Sequence, residues 1–216
     1  MVSRTGLMAG ILLALGAVPV SASAEDYTGP GFSGDAFVSN RGQPLQQIGS
    51  VNVGAEGFRM NMVDQGRRIA SLVRWSDHMV YSLFLDEKAY LQMPAEQVGM
   101  EEYEDRPCVG FRDGEKLGTD TVDGRPVEKW RCTGELNPAQ GRAPADATTW
   151  YDRELEFEIR IQRDGGETFE VRNVTVGEQD SALFEVPGDF QKVDMEALRR
   201  QMQQQQQQQQ RQQQQQ

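Results

Sequence analysis

The stretch from Gly57 to Pro94 constrains the fold more than any other part of the 216-residue chain. Its apolar residues recur at every second position, as in Phe58, Met60 and Met62, and polar residues stand between them. A period of two is typical of a half-buried strand and differs from the 3.6-residue period of a helix. Polar turns divide the stretch, at residues 64–66, 76–78 and 86–88. The sequence therefore predicts a meander of four short antiparallel strands.

The predicted meander is rich in methionine and aromatic residues and carries no catalytic constellation. Methionine is flexible and polarizable, which suits adaptable apolar surfaces. We therefore predict that the meander lines a ligand-binding groove, whose candidate residues are Phe58, Met60, Met62, Val73, Trp75, Tyr81, Leu83 and Met93. The alternative is that these residues form an ordinary core under a sheet.

Two arginines of the meander, Arg59 and Arg74, are candidate rim cations for the carboxylate or headgroup of a bound ligand. A charged group that is buried without a partner is unfavourable, so the polar end of such a ligand should stay at the rim. The alternative for both arginines is surface salt bridging with the many acidic residues.

The remaining sequence predicts further strands. Early strands are expected at residues 35–39 and 46–53, and a hairpin signal, Asp123-Gly124, precedes a strand at 126–133. Later strands are expected at 148–152, 155–163, 168–176 and, briefly, 183–186. About ten strands with few helices indicate a mainly β protein built on an antiparallel sheet or open barrel.

The first 24 residues predict an export signal. An apolar run from Leu7 to Val20 follows Arg4, and Ala22-Ser23-Ala24 matches an A-x-A cleavage site. The alternative, a membrane anchor, would take about 20 apolar residues, and this run is shorter. We therefore expect a periplasmic protein, cleaved after Ala24.

Export bears on the two cysteines, Cys108 and Cys132. An even pair in an exported chain favours a disulfide bond. The alternative, a metal or redox pair, is disfavoured because the spacing is not CxxC and no histidine lies nearby.

Composition and motifs disfavour several function classes. The net charge of −11 repels nucleic acid and anionic lipid headgroups. Residues 29–34 match GxGxxG by letter, but no strand precedes them, so no dinucleotide site is expected. The single histidine, His78, lies in a predicted turn, and no GxSxG motif is present. The acidic run at 101–105 is expected to be a solvated charged face. We predict no enzyme activity, no cofactor and no metal site.

The chain ends in a segment of different composition. Asp194 is placed to cap a short helix, and the rest is glutamine interrupted by Arg211. A polar low-complexity tract predicts a frayed or disordered tail, and the alternative is a self-associating coiled coil. The expected organisation is a signal peptide at 1–24, one β domain at 25–193 and the tail at 194–216.

Several motifs resemble a family of bacterial exported proteins known only as a domain of unknown function, which is similar to the lipoprotein carrier (LolA/LolB-like) superfamily. The matching segments are Phe58 to Met62, Arg74, Leu83 to Pro94, Thr121 to Gly124 with Val127 to Trp130, and Leu183 to Pro187 followed by Phe190 and Val193. The resemblance covers about residues 31 to 193.

This resemblance implies a strongly curved antiparallel sheet, an unclosed barrel, with a few short helices in its concave mouth. It also implies a non-catalytic periplasmic protein that binds a lipid, an acyl chain or another apolar ligand, with an acylated protein as a possible partner. The alternative is an envelope interaction or scaffold protein that uses the same fold without a ligand.

Overall fold

The computed structural model describes residues 27–98, 106–136 and 144–194. These residues form a single sheet of twelve strands. The strands in chain order are β1 (Phe32–Ser39), β2 (Gln46–Gly54), β3 (Gly57–Asp64), β4 (Arg67–Arg74), β5 (Met79–Phe84), β6 (Ala89–Pro94), β7 (Phe111–Val122), β8 (Arg125–Glu135), β9 (Ala147–Asp152), β10 (Phe157–Arg163), β11 (Thr168–Val176) and β12 (Gln191–Lys192). Three short 3-10 helices also occur here: η1 (Trp75–Asp77), η2 (Ala95–Val98) and η3 (Ser181–Phe184).

The strands are arranged in the order β12-β6-β5-β4-β3-β2-β1-β11-β10-β9-β8-β7. Neighbouring strands are antiparallel throughout, except for the parallel pair of β12 and β6. Strands β12 and β7 lie at opposite edges and do not pair with each other, so the sheet is not closed. The predicted mainly β, unclosed sheet with few helices is confirmed, and the parallel edge pair is its one departure from an antiparallel pattern.

The predicted meander is confirmed as strands β3 to β6. The turn between β3 and β4 places Gln65 at φ 48° and Gly66 at φ 80°. Positive φ at both central residues is the requirement of the hairpin turn whose twist matches its flanking strands, and glycine meets that requirement without strain. Strand β4 ends at Arg74, so Trp75 is not a strand residue but the first residue of η1.

Two parts of the sheet differ from the sequence prediction. Strand β7 was not predicted, because it is an edge strand whose residues from Arg112 to Thr121 are mostly exposed and therefore lack an alternating apolar pattern. The short strand predicted at 183–186 is wrong. The chain forms η3 there, since the Asp180 side chain accepts a hydrogen bond from the Ala182 amide and caps a helical turn.

The sheet curves strongly, as ring contacts between distant strands show. Phe157 on β10 stacks against Phe58 on β3 with ring centroids 6.3 Å apart. It also meets the edge of Phe32 on β1 at 5.3 Å. Strands β3 and β10 are four steps apart in the sheet, which would separate them by about 19 Å if the sheet were flat. The face that carries Phe58 is therefore folded inward, and we call it the inner face.

The other face of β3 to β6, the outer face, is covered by residues 178–193, which we call the C-terminal strap. Phe184 of the strap is 1% exposed and packs with Leu72, Tyr81 and Leu83. Its ring lies against Gly54 and Gly57, where an added Cβ would come within 3.1 Å of the ring. The strap ends at β12, which extends the sheet beyond β6.

The predicted disulfide is present between Cys108 and Cys132, with a Cα–Cα distance of 5.3 Å. It ties the turn before β7 to strand β8. The predicted signal peptide, the acidic run at 101–105 and the tail from residue 195 lie outside the described residues. None of the helices in the described ranges has the length and apolar character needed to cross a membrane.

Candidate ligand-binding face

The strand register places the side chains of the meander in three rows across the inner face. The first row lies at the η1 end of the strands and contains Phe58, Val73, Val80 and Met93. The middle row contains Met60, Ser71, Ser82 and Leu91. The third row lies beside the β3–β4 turn and contains Met62, Ile69, Phe84 and Ala89.

Exposure rises from the first row to the third on β3 and β5, but Ile69 of the third row is only 6% exposed and Met93 of the first row is half-buried. On β3 the exposure increases from 2% at Phe58 to 4% at Met60, and Met62 is half-buried. On β5 the buried Val80 of the first row gives way to a half-buried Phe84 in the third. The first row is closed because Phe157 stacks on Phe58. On β3 and β5 the inner face therefore has a packed end and a more open end, and the apolar surface between them is continuous on β3 but is interrupted by Ser71 and Ser82 on β4 and β5.

The eight predicted groove residues do not all lie on this surface. Five of them occupy the inner face: Phe58, Met60, Met62, Val73 and Met93. Trp75 belongs to the packed core at the closed end, where its indole Nε1 donates a hydrogen bond to the Gly54 carbonyl at 3.0 Å. Tyr81 and Leu83 point to the outer face and pack beneath Phe184 of the strap.

On the outer face the hydroxyl of Tyr81 is hydrogen-bonded to two charged side chains. It donates a 2.5 Å hydrogen bond to the carboxylate of Asp77 and accepts one from Arg74 at 2.7 Å. Burial and the bond to the Asp77 carboxylate raise the pKa of Tyr81 to about 12. This side chain is thus held by the turn between β4 and β5 and is not available to a ligand on the inner face.

The two predicted rim arginines also lie on the outer face. Arg59 donates from Nη1 to the Leu183 carbonyl at 2.9 Å and from Nε to Asn61 at 2.9 Å, so it fastens the strap to β3. Burial lowers the pKa of Arg59. Arg74 forms an ion pair with Asp77, and the hydrogen bond to this carboxylate raises the pKa of Arg74. Neither arginine borders the inner face, so neither is placed as its rim cation.

A third arginine, which the sequence analysis did not select, does border the inner face. Arg67 lies directly across from Asp64, one step beyond Met62 and Ile69 at the open end. Its side chain is half-buried and forms no ion pair with any residue in the described ranges. The signal was present in the sequence, because Arg67 continues the alternation of Ile69, Ser71 and Val73 by one step.

His78 lies in a turn, as predicted. It adopts φ 52° at the end of η1, and its backbone N–H bonds to the Trp75 carbonyl. Within the described ranges no cluster of three or more metal-ligating side chains is found. The expectation of a non-catalytic protein remains a prediction.

No protein-family model matches the chain, and no curated protein matches it. Solved structures do resemble it. An uncharacterized conserved protein from Thermus thermophilus is 14% identical over 79% of this chain and 93% of its own, with a TM-score of 0.49. A LolA superfamily protein from Nitrosomonas europaea is 9% identical over 76% of this chain and 94% of its own, with a TM-score of 0.35.

A further structural neighbour is a chain of the MucA/MucB complex from Pseudomonas aeruginosa. It is 13% identical over 80% of this chain and 61% of its own length, with a TM-score of 0.37. One of these structural neighbours is thus a LolA superfamily protein. All these likenesses are distant, and function is therefore inferred from the residues of the chain itself.

Proposed function

We propose that the protein is a non-catalytic binding protein of the bacterial envelope and that its inner face takes up an acyl chain. The observation that supports this most is the inner face itself. On β3 apolar side chains continue from the packed Phe58 through Met60 to half-buried Met62, which lies in the same row as half-buried Phe84 on β5. The outer face of the same strands has no such surface, because the strap covers it.

The chemistry of the inner face suits a flexible hydrocarbon. Methionine side chains adapt their shape to an irregular apolar partner, and Met60 and Met62 stand in successive rows. Each methylene group that an acyl chain buries contributes about 0.8 kcal/mol before the ordering of the chain is subtracted. A long chain would then reach roughly micromolar affinity, because the loss of translational and conformational freedom on binding offsets part of this gain.

The polar end of the ligand should remain at the open end of the inner face. Burying a carboxylate without a partner is strongly unfavourable, whereas Arg67 offers a half-buried cation beside Met62 and Ile69. We therefore propose Arg67 as the residue that contacts the carboxylate, in place of Arg59 and Arg74. For a half-buried cation we expect a contact in the upper part of the range of surface ion pairs, about 0.4–1 kcal/mol, which corresponds to a two- to fivefold change in affinity.

The test is titration of the protein with a fluorescent fatty acid. The wild type should bind it saturably, and Met62→Asp should bind it at least tenfold more weakly because the new charge lies in the path of the chain. Val63→Asp is the matched control. Val63 is the next residue on β3, it points to the opposite face and is 61% exposed, so a charge there should leave binding unchanged.

The role of Arg67 is tested separately. Arg67→Ala should weaken binding of the fatty acid two- to fivefold and leave binding of the uncharged alcohol of equal chain length unchanged. Equal binding by the wild type and Met62→Asp, or no saturable binding by the wild type, would refute the acyl-chain proposal. The same sheet would then serve as a scaffold for a protein partner.

A further inference from the structure

A buried carboxyl group lies at the corner where the disulfide joins the turn before β7 to strand β8. Glu158 on β10 is buried, and its Oε1 accepts a 2.8 Å hydrogen bond from the amide of Cys108. The hydroxyl of Thr149 on β9 also bonds to this side chain. Its second oxygen, Oε2, is buried and has no hydrogen-bond partner within the described ranges. A buried carboxylate oxygen without a partner is unusual, because it loses its hydration and gains nothing in exchange.

The surroundings of Glu158 offset a negative charge there only in part, through the charges of Arg106 and Arg163. Its own strand contributes Arg163, but this guanidinium donates a 2.6 Å bond to Glu135 at the end of β8, and both side chains of that pair are buried. The turn before β7 contributes Arg106, whose charge acts on Glu158 through space. Strand β9 contributes Tyr151 as the cross-strand neighbour and Thr149, both of which are uncharged at neutral pH. No ion pair with Glu158 forms in the described part of the chain.

A second buried glutamate of the same sheet shows the contrast. Glu170 on β11 is 1% exposed, but each of its oxygens accepts a 2.6 Å bond from an arginine, Arg160 on one side and Arg172 on the other. Charge-assisted bonds from two guanidinium groups therefore give each oxygen of this carboxylate a partner. Glu158 has a single backbone amide and a hydroxyl instead, which suits a neutral carboxylic acid better than a charge.

We propose that Glu158 is a proton-linked anchor of the disulfide-bearing turn: it holds a proton in the folded protein near neutral pH, and loss of this proton favours local opening of residues 106–110 from β9 and β10, because opening lets water reach the buried charge. The turn is also held by the bond from the Leu136 amide to the Gly110 carbonyl at 2.9 Å and by the burial of Val109. Cys108 adopts φ 64°, a left-handed conformation that non-glycine residues rarely take, and the bond from its amide to Glu158 helps to hold it. The disulfide keeps the turn attached to β8 when the anchor is released.

The direction of the pH effect follows from the raised pKa. Burial is the main cause and raises the pKa of Glu158 from its ordinary 4.5 to about 7, against the smaller opposing effects of the Cys108 amide and the Thr149 hydroxyl. Between these two values the folded protein holds a proton that the unfolded chain has lost. The contribution of Glu158 to stability is therefore full below pH 4.5, declines as the pH rises towards 7, and stays low above it.

The experiment compares the wild type, Glu158→Gln and Glu170→Gln by thermal unfolding between pH 5 and 8. In Glu158→Gln the new side-chain amide is neutral at all pH values and still accepts from the Cys108 amide. Relative to wild type, Glu158→Gln should gain melting temperature at pH 8 and show little difference at pH 5. Glu170→Gln should lose melting temperature at both pH values, since it removes a paired carboxylate between two arginines.

Two spectroscopic measurements on the wild type keep the proposal testable if a variant does not fold. The infrared carbonyl band of a protonated carboxylic acid should persist at pH 6 and disappear with a midpoint near pH 7. Hydrogen exchange at the Cys108 amide, corrected for its intrinsic pH dependence, should accelerate over the same interval. Absence of the band at pH 6, or a Glu158→Gln variant that loses stability equally at pH 5 and 8, would overturn the proposal.

Discussion

The two faces of strands β3 to β6 are built from alternate residues of the same chain, yet one face is covered by another segment and the other is covered only in part. The outer face buries Leu72 and Leu83 beneath a segment from the far end of the sequence, with Phe184 at its centre. The inner face packs against Phe157 at one end only and remains half-exposed at Met62. Both faces are apolar, so the difference lies in what covers them and not in their hydrophobicity.

The outer face is distinguished by the space that receives the covering segment as much as by its apolar residues. The strap reaches the outer face because Gly54 and Gly57 leave room for the Phe184 ring on either side of the β2–β3 turn. Polar bonds then fasten it, from Asn52 to Gln179 and from Arg59 to the Leu183 carbonyl. In the third row of the inner face Gly49 lies directly across from Met62, but no ring of a later described segment packs on it.

The largest predicted effect is removal of the ring that covers the outer face. Phe184→Ala should lower the free energy of unfolding by about 3–5 kcal/mol, because the ring is almost completely buried and its cavity is lined by strand backbone that cannot collapse. Chemical denaturation measures this loss. Val176→Ala, at a 42% exposed position on β11, is the control and should change stability by less than about 0.5 kcal/mol. A Phe184→Ala variant as stable as this control would show that the strap does not cover the outer face.

A smaller loss of stability is expected from filling the space that Gly57 leaves for the Phe184 ring. Gly57→Ala would place a Cβ atom 2.4 Å from the Val73 carbonyl oxygen and 3.1 Å from the Phe184 ring. The backbone must shift to relieve this contact, and we expect a loss of about 1–3 kcal/mol in the free energy of unfolding. Gly165→Ala is the matched control, because an added Cβ there meets nothing within 4 Å. Equal stability of the two variants would contradict the proposed fit between Phe184 and Gly57.

The sequence predicted the strands well where one face is buried and poorly where neither is. The alternation of Phe58, Met60 and Met62 is strong because one side of β3 faces the core. Strand β7 is exposed along most of its length, so its backbone pairing with β8 has no counterpart in side-chain pattern. The strand predicted at 183–186 was wrong for a related reason. Its apolar residues face the sheet from a helical turn, and the capping side chain of Asp180 decides between helix and strand.

The candidate site could be predicted in part only. Alternation within a strand groups residues of that strand, but it cannot say which face of one strand matches which face of the next. That match depends on register: Val73 pairs with Val80, which puts Tyr81 and Leu83 on the face opposite to Phe58. The same missing information kept the sequence from showing that Arg59 and Arg74 lie on the outer face, whereas the parity of Ile69 could have pointed to Arg67. Curvature, which makes one face the inner one, arises from contacts between β3 and β10 that no local pattern encodes.

The smallest predicted effect is that of removing the glutamine-rich tail. Its removal tests whether the tail covers the open end of the inner face, as the strap covers the outer face. Residues 203–216 are all glutamine except Arg211, so they offer no apolar side chain to dock on Met62 or Phe84. A polar tract of this kind does not recover the entropy of being ordered. Truncation after Met202 should therefore leave both the melting temperature and the affinity for the fluorescent fatty acid unchanged. A loss of several degrees would show that the tail packs on the domain or joins two copies of it. Tighter fatty-acid binding without the tail would show instead that the tail competes with the ligand, and the inner face would then be a covered face like the outer one.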